Sequence, residues 1–388
     1  MENTHYTLGQ QGEKDMNQHP EYFNQAKTIV IKIGSAQLLD QQGQLRKVWF
    51  QTLCQELATL KKAGKTVLLV SSGAVALGRR RLKDFPSHPS LAQNQAAAAS
   101  GQITLCQSYE HAMAQYHIHT AQLLLTIEDC YNLRRQLNAK NTLKALLSSG
   151  LLPIINENDT VATDELRLGD NDRLAAHICH LVKADVLVLL SDVDGLYNKD
   201  PSQHFDAHHI PVISEINDRI TAMGGPKQSA VGTGGMFTKI EAAKIATHAG
   251  CHMVIAKGNQ KNPLQQLAKQ NAHCTWFLAQ HSPLNAGQQW LKHLKPNGKL
   301  YLDIGAVNAV KSGKNLLASG IVKTTGHFQK GDAVELLDIN NTLIAKGVCH
   351  YHAGDLQKIL GKHSDQIAKI LGYHNGNAVI HSDYTLLL

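Results

Sequence analysis

No apolar run in this chain is long enough to cross a membrane, and the first 26 residues lack the apolar core of a signal peptide. The seven cysteines, at 54, 106, 130, 179, 251, 274 and 349, include no C-x-x-C pair. Scattered and odd in number, they argue against a disulfide framework or a zinc site and fit free thiols in a reducing cytoplasm. His177, Cys179 and His180 look briefly like metal ligands, but they would face different directions on one helix. Two phosphate-gripping signatures are missing as well. The only Gly-Lys-Thr, at 64–66, precedes a strand and lacks the first glycine of a P-loop. No G-x-G-x-x-G follows the first strand, so a nucleotide would need a different grip.

What is present is ordinary in bulk. The 388 residues leave room for two or three domains and a sizeable core, and 43% hydrophobic with 18% charged residues suits a soluble globular protein. A formal net charge of +7, with 22 histidines beside it, favours anionic small molecules but is too diffuse to argue for nucleic acid. Residues 1–26 are polar and aperiodic and read as a mobile tail without a function.

From Lys27 onward, strands and helices alternate. TIVIKI (28–33), TVLLVSSG (66–73), a stretch near 118–125, LLPIIN (151–156), DVLVLLSD (185–192) and HMVIAKG (252–258) read as strands. Helices lie between them: one with Trp49, Leu53, Leu57 and Leu60, an Ala-rich one over 91–115, one with Leu133 to Leu147, one after LGDNDR, and one over 236–249. That order means an α/β fold, a mainly parallel sheet sandwiched by helices. Ligands of such sheets sit beyond the strands' carboxyl ends. Gly34-Ser35, Ser71–Gly73, Asn156–Asp159 and Ser191-Asp192 all fall at such ends. This predicts domains over 27–280 and 298–388, joined by a Pro- and Gly-bearing linker at 281–297. The second domain has short strand-like runs at 299–302, 321–323, 333–337, 343–348 and 378–381, with helices over 355–360 and 364–371, and is β-rich.

Three polar segments carry the chemistry. In LGDNDR, Asp170, Asn171 and Asp172 precede an apolar helix, where backbone N–H groups can hold an anion and the acids a cation or amine; alone, the triplet is more often a turn and a helix cap. Lys32 interrupts an apolar strand and needs an anionic partner, because an unpaired buried ammonium is costly. Lys239 closes VGTGGMFTK at a helix start, where Thr233, Gly234 and Gly235 let backbone approach a polyphosphate.

IKIGS, VSSGA, NENDTVAT, LGDNDRLAA, LLSDVDGLY and GTGGMFTK stand in the order and spacing of the glutamate 5-kinases, which the chain from about Lys27 resembles. They are members of the amino-acid kinase superfamily, and the β-rich tail resembles the PUA domain that many bacterial members carry. The resemblance implies transfer of the ATP γ-phosphate to the side-chain carboxylate of L-glutamate, giving glutamyl 5-phosphate for proline synthesis. It makes Lys32 and Lys239 the cations at the phosphoryl group, with Asp172 orienting them. For glutamate it implies Ser72, Asp159 and Asn171, helped by Asn156 and Asp170. For ATP it implies Lys32, Ser191, Asp192 and the run Thr233, Gly234, Gly235, Met236, Phe237, Thr238 and Lys239, with Mg²⁺ bridging the phosphates.

Two positions depart from the family pattern: Ser191, where Thr is common, and Phe237, where a small polar residue is common. The N-terminal tail is also longer than usual. By the same resemblance, proline would inhibit, the chain would form dimers or tetramers, and the product would pass to glutamyl phosphate reductase. A relative acting on acetylglutamate, aspartate or a nucleoside monophosphate is the nearest alternative. RNA binding by the tail is disfavoured, because every arginine lies before residue 220.

Overall fold

The computed structural model describes residues 19–161, 171–225, 235–269, 271–279, 295–373 and 377–388. It divides into two compact units, one holding residues up to 131 and 139–283, the other 132–138 and those from 284 onward.

In the first unit, α1 (His19–Gln25) leads into β1 (Thr28–Ile33), then α2 (Ser35–Leu38), α3 (Lys47–Lys62) and β2 (Thr66–Ser71). Next come α4 (Ala74–Arg79), α5 (Leu91–Ala114), β3 (Thr120–Leu125), α6 (Ile127–Tyr131), α7 (Leu133–Ser148, whose residues 133–138 fall in the second unit) and β4 (Leu152–Glu157). After α8 (Asn171–Val182) and β5 (Val186–Ser191) stand β6 (Leu196–Tyr197), β7 (His209–Ile210), β8 (Val212–Ile213) and α9 (Asp218–Ala222). The unit ends with α10 (Met236–His248), β9 (His252–Lys257), α11 (Pro263–Ala268) and β10 (Cys274–Phe277). The large sheet runs β3-β4-β2-β1-β5-β9-β10-β8, parallel throughout except for the β9–β10 pair.

β1 lies between β2 and β5, and the chain turns to opposite sides of it there, which opens a crevice at their carboxyl ends. Side chains alternate across the sheet. Ile29, Ile31 and Ile33 join one core layer, while Val30 joins the other with Leu174, Ala175 and Ile178 of α8 and Ala242 and Ala243 of α10. Lys32 shares the parity of Val30, so the period of the strand turns it toward the side on which α8 and α10 pack.

The expectation of a tail through residue 26 is corrected for its last part. The stretch has few apolar groups, but two aromatics anchor it: Phe23 is buried and Tyr22 stacks on His252 at 4.0 Å. Lys65 Nζ then donates to the Asn24 and Ala26 carbonyls at 2.7 and 2.6 Å, satisfying groups at the carboxyl end of α1. Residues 1–18 lie outside those described.

The second unit holds β11 (Gly298–Leu302), α12 (Ile304–Lys311), β12 (Leu316–Leu317), β13 (Ile321–Gly326), β14 (Ala333–Leu337) and β15 (Leu343–Val348). They are followed by α13 (Ala353–Ile359), α14 (Ser364–Leu371), β16 (Ala378–Ile380) and β17 (Thr385–Leu387). Five strands form a mixed sheet, β13-β11-β14-β15-β17, with its own core around Leu300, Val334, Leu336, Tyr351 and Val379. Helix α12 and strand β17 were not anticipated.

Candidate active site

A cavity of about 520 Å³ opens at the carboxyl ends of β1, β2, β4 and β5. At its floor, three chain-distant residues meet. Asp172, in the first turn of α8, places Oδ1 2.6 Å from Lys32 Nζ and Oδ2 3.3 Å from Lys239 Nζ. Thr238 Oγ1 also donates to Oδ2, at 3.3 Å. All three charged residues are buried, at 8%, 2% and 4% exposure for Lys32, Asp172 and Lys239, so the carboxylate is what makes two interior ammonium groups tolerable. Burial alone would push the Asp172 carboxyl up; the two lysines outweigh it and hold it at about 2.

Beside this triad runs a line of amides. Asn156, on β4, accepts at Oδ1 from the Glu157 backbone N–H at 2.9 Å and from Asn171 Nδ2 at 2.9 Å. Asn171 Nδ2 also donates to Ser72 Oγ, at 2.8 Å. Among the described residues, Asn171 Oδ1 and Asp159 Oδ1 are buried and have no hydrogen-bond partner. Both residues line the cavity, and each oxygen can accept from a cationic or N–H-bearing group. Burial pushes the Asp159 carboxyl up to about 6.

On the opposite side, Ser191 Oγ donates to Asp192 Oδ1 at 2.9 Å, and both residues line the cavity. α10 begins at Met236 after Gly235, which caps it in extended conformation; Phe237, Thr238 and Lys239 complete the first turn. The cavity thus brings together Lys32, Ser72, Asn156, Asp159, Asn171, Ser191, Asp192 and Lys239, with Asp172 behind the lysines. Asp170, Thr233 and Gly234 lie outside the described residues.

Lining residues, and one residue behind them, escaped the sequence reading. Arg79 lies at the end of α4, where Nη2 donates to Asn94 Oδ1 at 3.0 Å and the guanidinium sits 5.4 Å over the Phe85 ring. Gln37 is buried, and its Oε1 has no partner among the described residues. Gln102, on α5, accepts at Oε1 from Asn156 Nδ2 at 2.9 Å. Gln102 carried no signal of its own, since α5 also holds Gln93, Asn94, Gln95 and Gln107. Arg79 and Gln37 carried none.

Residues 27–257 match the amino acid kinase family and residues 298–371 match the PUA domain. Three similar proteins are each named glutamate 5-kinase. That of Paramagnetospirillum magneticum is 46% identical over 360 residues, 92% of this chain and 97% of its own. That of Roseobacter denitrificans is 48% identical over 92% of this chain and 96% of its own, and that of Paracoccus denitrificans 47% identical over 93% and 97%.

Proposed function

The chain belongs to the amino acid kinase family, and we propose that it transfers the γ-phosphoryl group of ATP to the side-chain carboxylate of L-glutamate, the reaction that opens proline synthesis. The observation that carries this reading is the pair of buried lysines, from β1 and α10, gathered on one carboxylate at the floor of a polar cavity.

The accepting carboxylate, with an ordinary pKa near 4.3, is already ionised at neutral pH, so no base has to activate it. What the reaction needs is alignment of two anions and neutralisation of the charge on the migrating group. Lys32 and Lys239 supply the positive charge, and Asp172 fixes where each ammonium stands before substrate arrives. The amino-acid half lies toward β2 and β4. There the unpartnered Asn171 Oδ1 and Asp159 Oδ1 would accept from the glutamate ammonium, while Ser72, whose oxygen already accepts from Asn171, would donate its O–H to a carboxylate. Proline, which keeps an ammonium and an α-carboxylate, fits the same half as an inhibitor.

The nucleotide half lies toward β5 and α10, where the Ser191 and Asp192 polar groups and the positive end of the α10 dipole suit a polyphosphate. Among the described residues no cluster of three or more His, Cys, Asp or Glu could hold a metal alone. Mg²⁺ would therefore come with the phosphates, with Asp192 the lining acid on that side, and would neutralise phosphate charge when bound.

The test is to incubate the protein with ATP, Mg²⁺, L-glutamate and hydroxylamine. Glutamyl hydroxamate, the trapped acyl phosphate, is the expected product. ATP-dependent hydroxamate from aspartate or acetylglutamate, with none from glutamate, would overturn the reading.

A further inference from the structure

Gln102 is not in the triad and does not line the main cavity, yet its amide bears on the direction in which the amino-acid wall points. The Glu157 backbone N–H can only donate, so the Asn156 oxygen must face it, at 2.9 Å. The Asn156 nitrogen is then turned away, and the group it meets has to be an acceptor; Gln102 Oε1 is that acceptor, at 2.9 Å. The Asn156 oxygen in turn requires Asn171 to present its nitrogen, at 2.9 Å, which leaves Asn171 Oδ1 toward the ligand. Gln102, Asn156 and Asn171 are 7%, 2% and 2% exposed, so water cannot readily replace a missing partner.

We infer that Gln102 is a positioning residue for the amino-acid substrate: by holding the Asn156 amide from behind, it keeps the Asn171 carbonyl oxygen aimed at the substrate ammonium. This rests on the glutamate reading above and deepens it. The Gln102 nitrogen matters little, since among the described residues it donates only to Cys106 Sγ, at 3.4 Å. The role therefore belongs to one oxygen atom, and substitutions can separate it from bulk.

Gln102→Leu keeps the bulk and removes the acceptor; Gln102→Glu keeps an acceptor of the same length. In the hydroxamate assay, Gln102→Leu is expected to raise the KM for glutamate by roughly 10- to 100-fold, with the KM for ATP unchanged and kcat at saturation largely kept. Gln102→Glu restores the wild-type KM to within about threefold. Glutarate lacks the ammonium, so its competitive inhibition constant stays near the wild-type value in Gln102→Leu while the glutamate KM rises.

Equal losses for glutarate and glutamate, an unchanged glutamate KM in Gln102→Leu, or a Gln102→Glu as impaired as Gln102→Leu would each overturn the inference. If Gln102→Leu fails to fold, Gln102→Met takes its place, and Gln102→Glu still has to behave as wild type. The wild-type protein tests the glutamate reading itself: no hydroxamate from glutamate sinks that reading, whatever the variants do.

Discussion

A carboxylate held at about 2 stays charged through the whole physiological range, so the Lys32–Asp172–Lys239 triad carries one net positive charge before any substrate arrives. Replacing Lys239 by Ala leaves the 2.6 Å Lys32–Asp172 pair intact and removes one of the two cations proposed to meet the phosphoryl group. Hydroxamate turnover is expected to fall by about 10²- to 10³-fold while the thermal unfolding midpoint moves little. Asp159 behaves in the opposite sense. Burial raises its carboxyl to about 6, so the folded chain holds that proton more tightly than the unfolded one. Its contribution to stability is full below the ordinary carboxylate range and is lost as pH rises through about 6. Only the ionised form can meet an ammonium. The kcat/KM for glutamate is therefore expected to decline as pH falls below about 6, with no matching inflection in the KM for ATP. A pH profile of both constants, for the wild-type protein and Asp159→Asn, checks this; the inflection should vanish in the variant. Lys32 was legible as a lysine in an apolar strand, because a charge in a buried strand demands a partner. Gln102 and Arg79 were not, because a Gln or Arg on a helix has many solvent-facing uses and only the fold shows which way it points.

At the scale of elements, the close crossing of α4 and α5 positions the wall that holds Ser72. A Cβ on Gly101 would stand 1.8 Å from the Ala74 carbonyl oxygen, and one on Gly78 would stand 1.7 Å from that of Ala97. Backbone meets backbone there, so neither neighbour can swing aside. Gly101→Ala is expected to destabilise by about 3 kcal/mol, read from urea unfolding, and to raise the glutamate KM by shifting α4 and the Ser72–Gly73 turn before it. Strands β1, β2, β4, β5 and β9 were readable because buried parallel strands are continuous apolar runs. β8 and β6, two residues each, and β10, four, are too short to show a period, and the reversed direction of β10 has no local signature. The short helix α4 was hidden as well: AVALGR, a six-residue stretch after the Ser72–Gly73 turn, is too short to show a helical period.

Taken whole, the molecule is two units with separate cores, and every residue lining the main cavity falls between 32 and 239. Residues 132–138 nevertheless belong to the second unit, where Leu137 is 1% exposed in a cluster with Val348 and Tyr384. A chain ending at residue 283 is expected to keep glutamate-dependent hydroxamate formation. It should lose about 2 kcal/mol of stability, because Leu137 would be uncovered. Activity and urea unfolding of the truncated chain check both halves of that statement. The β-rich character of the second unit was visible as short apolar runs between glycine turns, whereas α12 was masked by an apolar run, IGAVNAV, that reads equally well as strand.

Asp172 gives one oxygen to each lysine. A single carboxyl group thereby sets the resting position of both ammonium groups, like the crossbar of a marionette. Under the reading proposed above, any shift of α8 would move both cations that face the phosphoryl group, so the two halves of the site answer to one side chain.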